Sequence, residues 1–269
     1  MSSSLIILGA GYTARVVWPL AVRRYAHVLV TSREPDRHLS EVPSEQRIRF
    51  DLTQKETWKN IPSAGDLLWC FPTEPLGQVQ ACAAAMNLSS RRLVVLGSTS
   101  AYPTRPSNEY PPPWIDETAG LDESKPRVLG EEYLRRHCHA IVLMVAGIYG
   151  PGRNPLDWIK KGRVGPSRKY VNLIHVEDLA EVCLTALEHG MPGETYNVSD
   201  GTPRTWEDIC RMARDRWGIE SVRHPDDRSM GKRLSAKKLL SLLEAGGTTL
   251  DHADLFGALD CLRSERSIT

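Results

Sequence analysis

A doubly wound α/β fold with a smaller C-terminal lobe is what the sequence predicts, on three observations. The stretch Leu5 to Arg15, LIILGAGYTAR, is an apolar run that breaks into Gly9, Gly11 and Ala14 at GxGxxA spacing and continues as a helix-compatible segment. Further continuous apolar runs recur at His27 to Val30, Ile48 to Phe50, Asp66 to Phe71, Leu93 to Leu96 and Ala140 to Ala146. Helix-compatible segments separate most of them, and strands that are apolar throughout belong to a parallel sheet covered on both faces rather than to a half-exposed antiparallel one.

The first run carries the chemistry most directly. A glycine at the first motif position permits a tight strand-to-helix turn, the second lets backbone N–H groups approach a pyrophosphate, and a small third residue lets the helix lie close to its strand. Phosphate would sit on the positive end of that helix. The second run ends one βαβ length later in Thr31, Ser32 and Arg33. A site selecting NAD would place Asp or Glu there against the ribose 2′-hydroxyl, whereas a hydroxyl and a guanidinium suit a 2′-phosphate, so the expected cofactor is NADP(H) over NAD(H). With Glu34 adjacent, the bland alternative is that Arg33 is a solvated charge after a strand.

The remaining elements follow in order. Pro103, Pro106 and the run Pro111 to Pro113 force irregular backbone between Tyr102 and Ser124, a loop expected near the site. Beyond Gly147 the parallel pattern gives way to turns and shorter segments: Pro155 to Lys161, helices over Val176 to His189 and Thr205 to Trp217, a basic stretch Lys232 to Leu243, and turns at Asp200-Gly201 and Pro225-Asp226-Asp227, with Gly246-Gly247 ending a helix. The expected division is a nucleotide-binding domain over 1–150 and a smaller substrate lobe over 151–269, interleaved with the first.

Composition narrows the function class. The chain has 269 residues, 41% hydrophobic and 25% charged, with a formal net charge of +1, which argues against a nucleic-acid or anionic-membrane partner and for a small-molecule substrate. Six scattered cysteines form no CxxC pair or His/Cys cluster at metal spacing and read as reduced core residues, and no metal is expected. The first apolar stretch is too short for a signal peptide and no run approaches membrane-spanning length, so a cytoplasmic location is expected.

The strand Leu93 to Leu96 runs into Gly97-Ser98-Thr99-Ser100-Ala101-Tyr102-Pro103, placing hydroxyls where ligands bind in open α/β sheets. A hydroxyl there could donate to a substrate carbonyl as negative charge develops, or merely satisfy the turn's backbone. Taken with GAGYTAR, Asp51-Leu52, LGSTSAYP, AGIYGPGRNPLDWI, NLIHVEDLAEV, TYNVSDGTP and Gly231-Lys232-Arg233 in this order, the chain resembles, over nearly its whole length, the extended short-chain dehydrogenase/reductases of the atypical epimerase/dehydratase-like, or YeeZ-like, branch. The resemblance implies a Rossmann-type fold in which Gly9, Gly11, Tyr12, Thr13 and Ala14 hold the pyrophosphate, Asp51 and Leu52 flank the adenine, and Phe71 and Pro72 line the cofactor. It implies that Ser98 is the active-site serine with Thr99 beside it, that Asn172, His175 and Asp178 lie beside the substrate cleft, and that Arg153 could meet an anionic substrate group. A homodimer is plausible on the same ground.

The departures bear on mechanism. The family's YxxxK, a tyrosine proton donor with a lysine that lowers its pKa, is replaced by Glu123 and Arg127, with Pro126 between them placing Glu123 ahead of the helix. Arg127 could keep a positive charge beside a ribose, though a guanidinium titrates too high to move protons near neutrality. Tyr102, nearest to Ser98 in sequence, is the expected replacement donor, and His175 is the other titratable candidate. Met144 stands where the family carries an arginine and is expected to pack in the core. The sequence therefore points to an NADP(H)-dependent oxidoreductase acting on a small carbonyl or sugar-like substrate. A non-redox lyase, isomerase or cyclase using the same cleft, and a catalytically silent dinucleotide-binding regulator, are the alternatives.

Overall fold

The computed structural model describes residues 4–103, 109–223 and 229–264. Pro106 and the Pro225-Asp226-Asp227 turn lie outside the described residues. Seven strands form the central sheet: β1 (Ser4–Leu8), β2 (His27–Ser32), β3 (Arg47–Arg49), β4 (Asp66–Trp69), β5 (Leu93–Ser98), β6 (Ile141–Val145) and β7 (Thr195–Val198). Their spatial order is β3-β2-β1-β4-β5-β6-β7 and every neighbouring pair is parallel. Strand order reverses between β1 and β4, the switch point at which open α/β sheets leave a crevice at the carboxyl ends of their strands.

The alternation of side chains along each strand explains the two covered faces. Leu5 and Ile7 of β1 join a core with Ala14 and Val17 of helix α1 (Tyr12–Ala21), while Ile6 and Leu8 face the opposite core. Among the described residues the helices that follow are α2 (Pro35–His38), α3 (Leu76–Ala85), α4 (Pro126–Cys138), α5 (Pro155–Lys160), α6 (Val176–His189), α7 (Trp206–Trp217), α8 (Lys237–Ala245) and α9 (Leu255–Ser264). Helices α3 and α4 cover the Ile6 face through Val79, Cys82 and Leu134, and α6 lies beside α1 on the other through Leu179 and Cys183.

Residues beyond 150 serve two places. Helix α6 and β7 complete the central sheet, whereas α5, α7 and α9 gather around a separate apolar cluster that includes Leu156, Ile159, Ile209 and Leu259. The seventh parallel strand, TYNV, is too short to stand out from its turn-rich surroundings by periodicity. The basic stretch from Lys232 holds two elements: Arg233–Leu234 pairs in parallel with Trp114–Ile115, and α8 begins at Lys237. Four cysteines are buried, but Cys261 is exposed on α9 and so is not a core residue. No helix among the described residues is long and apolar enough to cross a membrane.

Leu179 is fully buried between α6 and the sheet. Leu179→Ala is expected to destabilise the protein by about 3 kcal/mol in urea unfolding, the cost of a buried leucine and the cavity it leaves. A loss below about 1 kcal/mol would show that this face does not bear on global stability.

Candidate functional site: a glycine loop and a lysine-lined cavity

The glycine loop is held open toward the sheet's carboxyl edge. Gly9 has φ of +101°, a conformation an L side chain rarely adopts, and a Cβ there would come within 3.1 Å of the Phe71 ring. Its N–H donates to the Thr31 hydroxyl at 2.9 Å, so β2 fixes the loop's path. Gly11 is the N-cap of α1, which has no side-chain cap and no acidic residue in its first turn, and a Cβ at Gly11 would meet nothing within 4 Å. The helix therefore presents uncompensated N–H groups to open space, an arrangement that favours an anion.

The loops beside it carry the other expected residues. Ser32 is buried, its hydroxyl 2.8 Å from His38 Nδ1 and accepting from the Glu34 N–H, which shapes the turn from which Arg33 projects. Arg33 is exposed and without an ion pair among the described residues. Arg15, which sequence reading passed over although it ends GAGYTAR, donates to the His38 carbonyl at 3.0 Å and so brings a second guanidinium to this turn. After β3, Asp51 Oδ1 accepts from the Thr53 N–H and hydroxyl, and Leu52 is buried. Phe71 packs on Trp69 with ring centroids 4.9 Å apart and Pro72 is exposed, so both edge the crevice beside Gly9.

At the end of β5 a cavity of about 420 Å³ opens, bordered by Ser98, Thr99, Asn172, Trp206 and Lys232. The Ser98 hydroxyl accepts from the Ser100 N–H at 3.2 Å, and no acceptor for its own proton lies among the described residues. Thr99 spends its proton on the Val145 carbonyl at 3.3 Å. Asn172 clamps the cavity wall: its Nδ2 donates to the Lys232 carbonyl at 2.9 Å and its Oδ1 accepts from the Leu234 N–H at 3.0 Å. Gly231 makes the wall's path possible, since with φ of +70° a Cβ there would lie 2.0 Å from the Tyr170 carbonyl oxygen. Lys232 is thereby aimed under the Ser98 loop, where Nζ donates to the carbonyls of Thr99, at 3.1 Å, and Tyr102.

Three expectations are corrected by this geometry. Tyr102 does not border the Ser98 cavity: it is 1% exposed, its hydroxyl donates to Asn197 Oδ1 at 2.7 Å, and burial first, then the Glu117 charge, push its pKa upward, which unsuits it as a proton donor. His175 is likewise outside the cavity. It is the N-cap of α6, with its ring against Tyr149 and His252, and its pKa is lowered to about 4 by burial and then by His252. Arg153 stacks over the Tyr12 ring at 4.2 Å, beside the glycine loop rather than in the cavity, while the Tyr12 hydroxyl donates to the Pro151 carbonyl at 2.9 Å.

Other placements follow the chain's local chemistry. Pro126 occupies the first turn of α4 and Glu123 precedes the helix. Arg127 bonds Glu131, which is 1% exposed, at 2.8 Å, and reaches the Leu96 carbonyl at 3.3 Å, so much of its guanidinium is committed beneath β5. Asp178 accepts from the Asp251 and His252 N–H groups and anchors that loop instead of facing the cleft. Met144 is fully buried beside Gly97. His175, Glu177 and His252 bring ligand-type atoms within 4.8 Å of one another, a grouping accounted for by the 2.9 Å His252–Glu177 pair and the capping role of His175.

The buried His175 makes a testable contribution to pH dependence. With its folded pKa near 4 against an ordinary 6.5, the unfolded chain binds the proton more readily, so stability is held above pH ~6.5 and lost as pH falls toward about 4. Between about pH 7 and pH 5, urea unfolding should show wild type losing about 2 kcal/mol more than His175→Asn, whose amide can still cap α6. Parallel losses in the two proteins would contradict this assignment.

Residues 73–199 match the family model of the NAD dependent epimerase/dehydratase family. No curated protein matches the sequence. Among solved structures, a conserved protein of unknown function from Silicibacter pomeroyi is 24% identical, with 98% of this chain and 99% of that chain covered and a TM-score of 0.76. A short-chain dehydrogenase/reductase superfamily protein from Agrobacterium tumefaciens, with bound NAD, is 17% identical over 98% of each chain, with a TM-score of 0.74. A dTDP-glucose 4,6-dehydratase from Bacillus anthracis, in complex with NAD, is 12% identical over 97% of this chain and 95% of that chain, with a TM-score of 0.72. The match to the NAD dependent epimerase/dehydratase family model thus spans residues 73–199, and along its whole length the chain shares the fold of these solved structures.

Proposed function

We propose that the protein is an NADP(H)-dependent oxidoreductase of the extended short-chain dehydrogenase type, acting on a small carbonyl or sugar-like substrate in the Ser98 cavity. The observation that carries this reading is the uncapped amino end of α1 behind an open Gly11, at the switch point of a parallel sheet. The chain's residues fit a dinucleotide laid along the strand ends in the order β2, β1, β4, β5. Arg33 and Arg15 would receive the 2′-phosphate, the Gly11–Thr13 amides the diphosphate, and Phe71 the dinucleotide's face. Arg153, stacked on Tyr12, supplies a cation on the other side of the diphosphate.

A nicotinamide bound there would supply or accept hydride. The chain's own contribution is to orient the reacting oxygen: the Ser98 hydroxyl accepts from the Ser100 N–H and keeps its own proton to donate to a carbonyl on which charge develops. The alternative of a silent dinucleotide binder draws on one observation, the withdrawal of Tyr102 from the cavity. Binding of NADPH without consumption across a broad carbonyl panel would favour it.

Because a ligand that binds only the folded form raises its stability, thermal shift tests the cofactor before any substrate is known. NADPH should raise the melting temperature more than NADH, and Arg33→Ala should weaken NADPH about tenfold while leaving NADH unchanged. No shift with either nucleotide at millimolar concentration would overturn the redox reading. Ser98→Ala should lower NADPH-coupled turnover of a responsive carbonyl compound about a hundredfold without changing cofactor affinity; equal turnover would remove Ser98 from the mechanism.

A further inference from the structure

We propose that the cavity beside Ser98 is a site for a small oxyanion-bearing molecule with a flat ring, its acid group held by Lys232 and Lys169. The inference rests on reading this cavity as the substrate site and names the class of molecule it takes. Among the described residues the lining contains both lysines and neither an aspartate nor a glutamate. Lys232 donates two of its three N–H bonds to the Thr99 and Tyr102 carbonyls, which orient the ammonium but do not cancel its charge, and the third is left for a ligand.

The electrostatics around that ammonium are one-sided. Burial, then the charges of Lys125 and Lys169, lower the Lys232 pKa, and no carboxylate among the described residues acts in the opposite direction. Lys125 itself donates to the Ser100 carbonyl while pairing with Asp122 at 3.4 Å, so two ammonium groups, one of them carboxylate-paired, converge on the turn that follows Ser98. Lys169 is exposed at the mouth and has no ion pair among the described residues. A half-buried cation with no carboxylate partner of its own among the described residues is a costly arrangement that an incoming oxyanion would relieve.

The walls define the rest of the ligand. Trp158, Tyr170 and Trp206 border the cavity, with the two indoles meeting edge to face at 6.4 Å between centroids. Aromatic walls of this kind suit a flat ring, and about 420 Å³ lies within the range of small-molecule sites.

Calorimetric titration of the full chain, with and without saturating NADPH, tests the proposal with benzoate, phenyl phosphate and neutral benzyl alcohol. The two anions should bind at least about tenfold more tightly than the alcohol, and the tighter of them identifies the carboxylate or phosphate as the preferred oxyanion. Lys232→Met should abolish that preference while retaining the thermal shift produced by NADPH, which also reports that the variant is folded. Should Lys232→Met fail to fold, Lys169→Met carries the same test, with a partial loss expected. Equal binding of benzyl alcohol, no anion binding at millimolar concentration, or anion binding indifferent to the lysine variants would overturn the proposal. Anion selectivity without any NADPH shift would overturn the redox reading and leave the oxyanion site standing; an NADPH shift without anion selectivity would do the reverse.

Discussion

The meeting of the Gly9 turn with the uncapped start of α1 is the constraint from which the rest of the site follows. Left-handed backbone at Gly9 brings the chain off β1 and directly into a helix whose start has no side-chain cap and no acidic residue in its first turn. Orphan amides at a helix start are costly to seal inside protein and are stable when they face water or an anion. The fold keeps them open by geometry: Thr31 holds the loop from β2, Phe71 fills the space a side chain at Gly9 would take, and nothing crowds Gly11.

The cavity beyond it is built by a different device. Ser98 ends a central strand and is placed by the sheet, whereas Lys232 comes from a segment far along the chain that the sheet does not hold. Close backbone packing at Gly231 against Tyr170, and the two hydrogen bonds of Asn172, fix that segment instead. The two halves meet where the Lys232 ammonium rests on carbonyls of the Ser98 turn. The result sets the crevice at the sheet's switch point beside a cationic, aromatic-walled chamber, with Ser98 supplied by the sheet and the lysines by segments after it.

Much of the sheet was legible because its strands are apolar on both faces: LIIL, HVLV, DLLW and LVVL each occupy the strand positions expected. The helix from Val176 to His189 was legible for the converse reason, an apolar stripe at helical spacing, and the glycine spacing of the first loop announced its own geometry. Short elements were not. Thr195–Val198 becomes the last strand of the central sheet only because β6 offers it an edge, and Arg233–Leu234 is a strand only through Trp114–Ile115, pairings that no local pattern encodes. Side-chain roles were the least legible: Tyr102 and His175 are close in sequence to site residues, yet burial turns the first toward Asn197 and makes the second a helix cap. Lys232, an ordinary lysine by composition, gains its place from tertiary contacts over 130 residues away in sequence.

A crystal of the full chain soaked with NADP+ tests the central claim most directly. The diphosphate should lie within hydrogen-bonding distance of the Gly11, Tyr12 and Thr13 amides, with the Arg153 guanidinium on its far side. Density for the nucleotide at any other place, or a glycine loop whose amides are closed off by protein atoms when the nucleotide is bound, would contradict it.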